Sequence, residues 1–245
     1  LHVRSRRQRQ MCIRDRSDNL NRYNIPSPIA TVINWSYCVS NGYLVFIPDV
    51  VFRKGEPGAS SYDAVVSGVK SLIDRYDFID KDRIALNGHS WGGYQIAFLV
   101  TRTNMFKAAV SGAPVVNMTS AYGGIRWESG KSRMFQYEQT QSRIGGTLWD
   151  KPAEFIRNSP LFFLPQVQTP VLIMHNDKDG SVMWEQGIEF FMALRRLDKP
   201  VWLFNYKGEG HHLKKWENRL DYSRRVMEFY DYYLKDGKKP EWMKS

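Results

Sequence analysis

Arg83-Ile84-Ala85-Leu86-Asn87-Gly88-His89-Ser90-Trp91-Gly92-Gly93-Tyr94-Gln95-Ile96-Ala97-Phe98-Leu99-Val100 is the stretch on which the reading of this chain turns. Its centre, Gly88 to Gly92, has the pattern G-x-S-x-G. The segment ending at Asn87 reads as a buried strand, and Tyr94 to Val100 reads as the helix that follows. Between them the chain has to reverse sharply, and the glycines permit that turn without a Cβ clash. Such a turn lifts the Ser90 hydroxyl above the sheet, at a helix N-terminus where developing negative charge is favoured. The pattern is weak in isolation and far more specific between a strand and a helix.

A nucleophilic serine needs a base, and the base needs a carboxylate that orients it. Both follow downstream. Val171-Leu172-Ile173-Met174-His175 is a compact apolar run of the kind that forms a buried parallel strand, and the polar loop Asn176-Asp177-Lys178-Asp179-Gly180-Ser181 follows it directly. Val201-Trp202-Leu203-Phe204-Asn205-Tyr206 reads as another strand and runs into Lys207-Gly208-Glu209-Gly210-His211-His212. Serine, acid and histidine thus each follow a strand, where open parallel sheets place their sites. Read from the residues alone, Asp177 and Asp179 are both candidates for the acid, and either also suits an N-cap for a helix near 184–196. His211 and His212 are both candidates for the base. His89, inside the turn, and His175, at a strand end, read as structural.

Three motifs together resemble the catalytic domain of the prolyl oligopeptidase family of serine peptidases: Gly88-His89-Ser90-Trp91-Gly92-Gly93-Tyr94, His175 to Val182, and Gly208-Glu209-Gly210-His211. The resemblance extends from about residue 17 to the C-terminus. It includes Asn158-Ser159-Pro160-Leu161 and the closing helix 217–234. It implies an α/β-hydrolase fold, with Ser90, Asp179 and His211 as the catalytic set. It also implies acyl transfer on oligopeptides without a cofactor or metal, with the Trp91 backbone N–H as one oxyanion donor. The family's second donor, a tyrosine in a Y-G-G-P-like loop, has no counterpart here. The alternatives are a carboxylesterase of the same fold, or an inactive fragment that lacks this second donor. Trp127, Phe135, Tyr137, Arg143, Ser181 and Val182 are the candidates for a substrate pocket. The three aromatics equally suit core or lid packing, and the Gln139 to Gly145 stretch lacks the tyrosines of the proline-stacking motif found in dipeptidyl peptidases. An N-terminal β-propeller and a periplasmic or secreted location are further implications of the resemblance.

Residues 1–16 differ from all that follows. They are basic and aperiodic, and they lack the apolar stretch of a secretion signal. Residues 6–15 are what the string CGT CGG CAG CGT CAG ATG TGT ATA AGA GAC encodes, which is similar to a transposase-library sequencing adapter. Residues 1–16 are therefore expected to be a non-native, disordered leader, with the native domain spanning 17–245. Six arginines against one aspartate place half of the net charge of +10 in this leader. The basic balance is thus no argument for a nucleic-acid partner. Of the two cysteines, Cys12 lies in the leader and Cys38 outside it. No apolar run approaches the ~20 residues of a membrane span.

Strands expected at 43–48, 83–87, 107–111, 171–175 and 201–206 alternate with helices at 28–40, 61–76, 94–100, 184–197 and 217–234. That alternation predicts a mostly parallel sheet with helices on both faces. A polar, aromatic and glycine-rich excursion spans 117–150. The α/β-hydrolase fold has eight strands, and the first three have no counterpart, so the domain is expected to be truncated at its N-terminus. In that fold the third strand lies between 43–48 and 83–87. Either those two pair directly, or the chain is poorly stable.

Overall fold

The computed structural model describes residues 25–244. The leader expected at 1–16, and the start of the native part at Ser17, lie outside the described residues. In chain order the elements are helices α1 (Trp35–Ser40) and α2 (Pro57–Arg75), strand β1 (Ala85–His89), helix α3 (Trp91–Val100), strand β2 (Ala108–Gly112) and helix α4 (Met118–Tyr122). A two-residue hairpin, β3 (Ile125–Arg126) with β4 (Lys131–Ser132), precedes helix α5 (Pro152–Arg157). Strand β5 (Val171–Met174), helix α6 (Glu185–Arg196), strand β6 (Val201–Phe204) and helix α7 (Trp216–Leu234) complete the order. The excursion at 117–150 thus holds only α4, the hairpin and one turn of π-helix at Gln136–Thr140.

Four strands form one parallel sheet in the order β1-β2-β5-β6. Alternate side chains of each strand point to opposite faces, and both faces are covered. Ala109, Val171 and Ile173 meet α2, α3 and α6 through Val66, Leu99, Phe190 and Leu194. Ala108, Val110, Leu172 and Met174 meet α7 through Tyr222, Val226 and Phe229. Burial on both faces explains why β5 reads as an unbroken apolar run rather than an alternation. Helix α3 is buried along its whole length, consistent with its lack of a polar face. Each large apolar side chain buried there contributes about 1.5–3 kcal/mol.

Local signals set the element ends. Helix α1 starts at Trp35 rather than near 28 because Asn34 caps it, accepting the Tyr37 N–H at 2.9 Å. Helix α2 begins four residues earlier than the apolar pattern suggests, with Pro57 in its first turn, where a missing N–H costs nothing.

One expected element is corrected. Tyr43 to Pro48 forms no strand, and among the described residues β1 has β2 as its one neighbour in the sheet. The segment keeps a strand-like alternation without a ladder. Tyr43 and Val45 pack towards α7, while Phe46 packs against the α2 and α3 side. The Tyr43 hydroxyl donates to Asp231 at 2.7 Å. A cleft of about 390 Å³, lined by Val45, Phe46, Leu86, Asn87, Ile96 and Tyr230 among others, runs alongside β1 and this segment. Side-chain burial in two core layers holds the segment, so its apolar pattern signals packing and not sheet pairing.

Helix α3 lies unusually close to the sheet, and glycine makes this possible. A Cβ on Gly93 would collide with the Gly112 carbonyl oxygen of β2, whereas one on Gly123 would meet nothing within 4 Å. Gly93→Ala is expected to destabilise the fold by about 2 kcal/mol or more, and Gly123→Ala to change it little. Thermal unfolding of the two variants beside the parent chain measures the difference.

Candidate active site

All four sheet strands run the same way, so their C-terminal ends share one rim. Ser90 follows β1, Asp179 lies five residues past the end of β5, and His211 lies in the loop after β6. Ser90 adopts φ 61° and ψ −119°, a left-handed conformation for a residue with a Cβ. Its N–H donates to the Gly112 carbonyl at 2.8 Å, which extends the β1–β2 ladder by one bond. Its carbonyl then accepts from Tyr94 at 3.0 Å as α3 starts. The chain therefore leaves a strand and enters a helix within one residue. A Cβ on Gly88 would collide with the Gly92 backbone, but one on Gly92 would meet nothing within 4 Å. Of the two motif glycines, Gly88 carries the steric requirement.

The acid and base loops are bonded to each other. Asn176 donates through Nδ2 to the Gly210 carbonyl at 2.8 Å, and its Oδ1 accepts the Tyr206 N–H at 3.1 Å. Asp177 accepts the Gly208 N–H at 2.7 Å. Glu209 is buried and accepts the N–H groups of Lys214 and Lys215, each at 2.9 Å, and the Asn218 side-chain amide at 2.7 Å. It thereby holds the His211 loop against the start of α7.

Asp179 and His211 meet inside this frame. His211 Nδ1 lies 2.7 Å from Asp179 Oδ2, and both side chains are buried. Oδ1 of the same carboxylate accepts the N–H groups of Ser181 at 2.8 Å and Val182 at 2.9 Å. Burial alone would raise the Asp179 pKa, but hydrogen bonds with His175 and His211 outweigh it and hold the group well below the usual carboxylate range. Asp177, the other candidate acid, faces Gly208 instead. The His211 ring packs 4.8 Å from that of His89, the residue before Ser90, and 4.8 Å from that of His212. Ser90 is therefore the chain neighbour of a residue whose ring packs on His211, and among the described residues the Ser90 hydroxyl makes no hydrogen bond.

The expected pocket residues are spread over several environments. Trp127 and Phe135 are exposed, at 71% and 43%. Tyr137 is 1% exposed and packs among Tyr122 and Phe155, with its hydroxyl accepting from Arg133 at 3.1 Å. The Arg143 guanidinium stands 5.6 Å from the Phe52 ring centroid. Ser181 is buried, donates to Glu128 at 2.9 Å and accepts from Arg126 at 3.2 Å. Val182 is buried beside Trp91 and Tyr94 in the cluster under the rim. Sequence reading did not single out Arg133, which is fully buried and donates to the Ser181 carbonyl and to Tyr137. The basic residue sits in an otherwise featureless polar stretch, and its partners come from 4 and 48 residues away. Among the described residues, no group of His, Cys, Asp or Glu is arranged to hold a metal ion, and no helix is long and apolar enough to cross a membrane.

A parallel sheet clothed by helices, with serine, carboxylate and histidine on one rim, has the form of an α/β-hydrolase. A profile of the prolyl oligopeptidase family matches residues 33–237, and the chain belongs to that family. It is 31% identical over 166 residues to the uncharacterized peptidase YuxL of Bacillus subtilis, covering 66% of this chain and 23% of that protein. It is 29% identical over 174 residues to the human acylamino-acid-releasing enzyme, covering 68% and 22%. Among solved structures it resembles the Pyrococcus horikoshii acylaminoacyl peptidase, with a TM-score of 0.67, 20% identity and coverage of 78% and 30%. It also resembles a puromycin-hydrolyzing peptidase of Mycobacterium tuberculosis, with a TM-score of 0.65, 24% identity and coverage of 74% and 26%. The chain spans about a quarter of the length of the curated relatives it matches.

The buried histidine next to the candidate nucleophile makes the fold sensitive to acid. Burial first, then the neighbouring His211 and His212, push the His89 pKa well below its ordinary value, and among the described residues its ring nitrogens have no hydrogen-bond partner. The unfolded chain takes up a proton on this residue below about pH 6.5 and the folded chain does not, so stability falls with pH from there. Asp179 and Glu209, held low, contribute stability that is present above about pH 4 and is lost as pH falls towards their folded values. Melting temperature measured between pH 8 and 3 is expected to decline in two stages, and His89→Gln to remove the earlier one.

Proposed function

We propose that this chain carries the catalytic domain of a serine peptidase acting on oligopeptides, with Ser90 as nucleophile, His211 as general base and Asp179 as the orienting acid. The observation that carries the reading is the buried 2.7 Å Asp179–His211 pair, on the same sheet rim as a serine at φ 61°. His211 takes the Ser90 proton as Oγ attacks the scissile carbonyl. Asp179 accepts the Nδ1–H, which leaves Nε2 as the basic nitrogen, and it stabilises the imidazolium once formed. The acyl-enzyme is then cleaved by water that His211 activates.

The Trp91 N–H opens α3 and has no earlier helical carbonyl to bond, so it is available to the tetrahedral oxygen. A site working with one such donor in place of two turns over about 100- to 1000-fold more slowly. Family membership and the relatives named as peptidases favour peptide over ester substrates. We assign residues 17–245 to this catalytic domain. The relatives are much longer than the part this chain spans, which leaves room in them for the propeller that the resemblance implies.

An alkyl fluorophosphonate probe tests the reading. The chain is expected to acquire one adduct at Ser90, found by peptide mapping, and Ser90→Ala to acquire none. Labelling that persists in Ser90→Ala, or that leaves Ser90 unmodified in the parent chain, would sink the assignment. Turnover of acyl-peptide amides beside matched esters separates peptidase from esterase.

A further inference from the structure

His175 directly follows β5, and its backbone N–H donates to the Phe204 carbonyl of β6 at 3.0 Å. Its side chain is fully buried, yet it is not merely packed. Nε2 lies 3.2 Å from the Val182 carbonyl oxygen and 3.3 Å from Oδ2 of Asp179. Both neighbours are acceptors, which places the ring proton on Nε2. The other face of the ring is closely bounded. A Cβ on Gly187 would lie 2.5 Å from Nδ1, Trp184 meets the ring edge-on at 5.9 Å, and Nδ1 has no hydrogen-bond partner among the described residues. Leaving a buried acceptor unpaired is costly, and an apolar side chain would fill the space without that cost.

We propose that His175 is a positioning residue: its Nε2–H holds the Asp179-to-Val182 turn and the Asp179 carboxylate in the one orientation that receives His211 Nδ1.

Both oxygens of the carboxylate have partners. Oδ1 is fixed by the two N–H groups of Ser181 and Val182, which are part of the same turn. That leaves Oδ2 free to swing about the Oδ1 anchor. His211 approaches Oδ2 from the β6 side and His175 from the β5 side, so the two histidines fix the carboxylate plane between them. The Val182 carbonyl, held by the same Nε2, ties down the end of the turn. His175 is four residues before Asp179 and lies outside the reacting set, so it acts only through the acid. The inference rests on the proposed roles of Asp179 and His211, and one of its readouts is independent of Ser90 chemistry.

Two substitutions separate positioning from space filling. His175→Phe keeps a buried ring but removes the donor. His175→Gln places an amide N–H the same number of bonds from Cα as Nε2. In saturation kinetics with the fluorophosphonate probe, His175→Phe is expected to lower the maximal labelling rate about 10- to 100-fold, as a small misplacement does, with the half-saturating concentration unchanged. His175→Gln is expected to recover most of that rate. The far-downfield proton resonance of the His211 Nδ1–H, assigned by its loss in His211→Gln, is expected in the parent chain and in His175→Gln, and weakened or absent in His175→Phe. A downfield resonance that follows His175 in a chain that does not label upholds the inference and defeats the peptidase reading. A labelling rate and a resonance that both ignore His175→Phe, or a parent chain with no such resonance, overturn the inference.

Discussion

The contact between the start of α3 and the ends of β1 and β2 is the constraint from which the rim is built. Gly88 lets the strand pass under the helix backbone, and Gly93 lets the helix rest on the Gly112 carbonyl. With those surfaces in contact there is no length of chain for a gradual turn. Ser90 has to take a left-handed conformation, bonded to Gly112 before it and to Tyr94 after it. The strain at Ser90 is held by an entirely buried helix and a ladder on one side. It leaves the hydroxyl on the rim and the N–H of Trp91 open, and a relaxed loop would guarantee neither.

The partners of Ser90 depend on a second constraint, the bonding of two loops to each other. Asn176 and Asp177 reach across to Tyr206, Gly208 and Gly210, and Glu209 reaches forward to α7. They set the distance between two segments more than thirty residues apart in sequence, so that a single short contact forms between Asp179 and His211. The motif letters around the candidate acid and base are thus mostly ties between loops.

Much of the architecture can be read in the chain because periodicity is a local property. The unbroken apolar run at 171–174 suits a strand buried on both faces, and the helix after Ser90, with Gln95 its one amide side chain, has no polar face to turn to water. The segment 43–48 misleads for an instructive reason. Its apolar alternation matches that of a strand because it too packs between two layers, yet pairing needs a neighbour within hydrogen-bonding distance, and a cleft runs beside β1 instead. The pocket residues were the hardest to read. Tyr137 and Trp127 are both aromatic and only ten positions apart, but one is buried and the other is almost free. Nothing in their local pattern separates the two.

The sequence by itself determined the order strand, serine, helix, strand, acid, strand, histidine, and with it a parallel sheet whose loops meet on one rim. Order along the chain and the 2.0 and 3.6 periods are enough for that, because parallel strands joined by helices leave few alternatives. Asp179 is distinguished from Asp177, and His211 from His212, by resemblance to the family motifs and not by composition. Only the tertiary structure places His211 beside Asp179 with Asp177 turned to Gly208, and it alone brings His175 against the same carboxylate. Those distinctions rest on differences of a few ångströms between neighbouring loop residues. They are set by hydrogen bonds between the loops that follow β5 and β6, which no local pattern encodes.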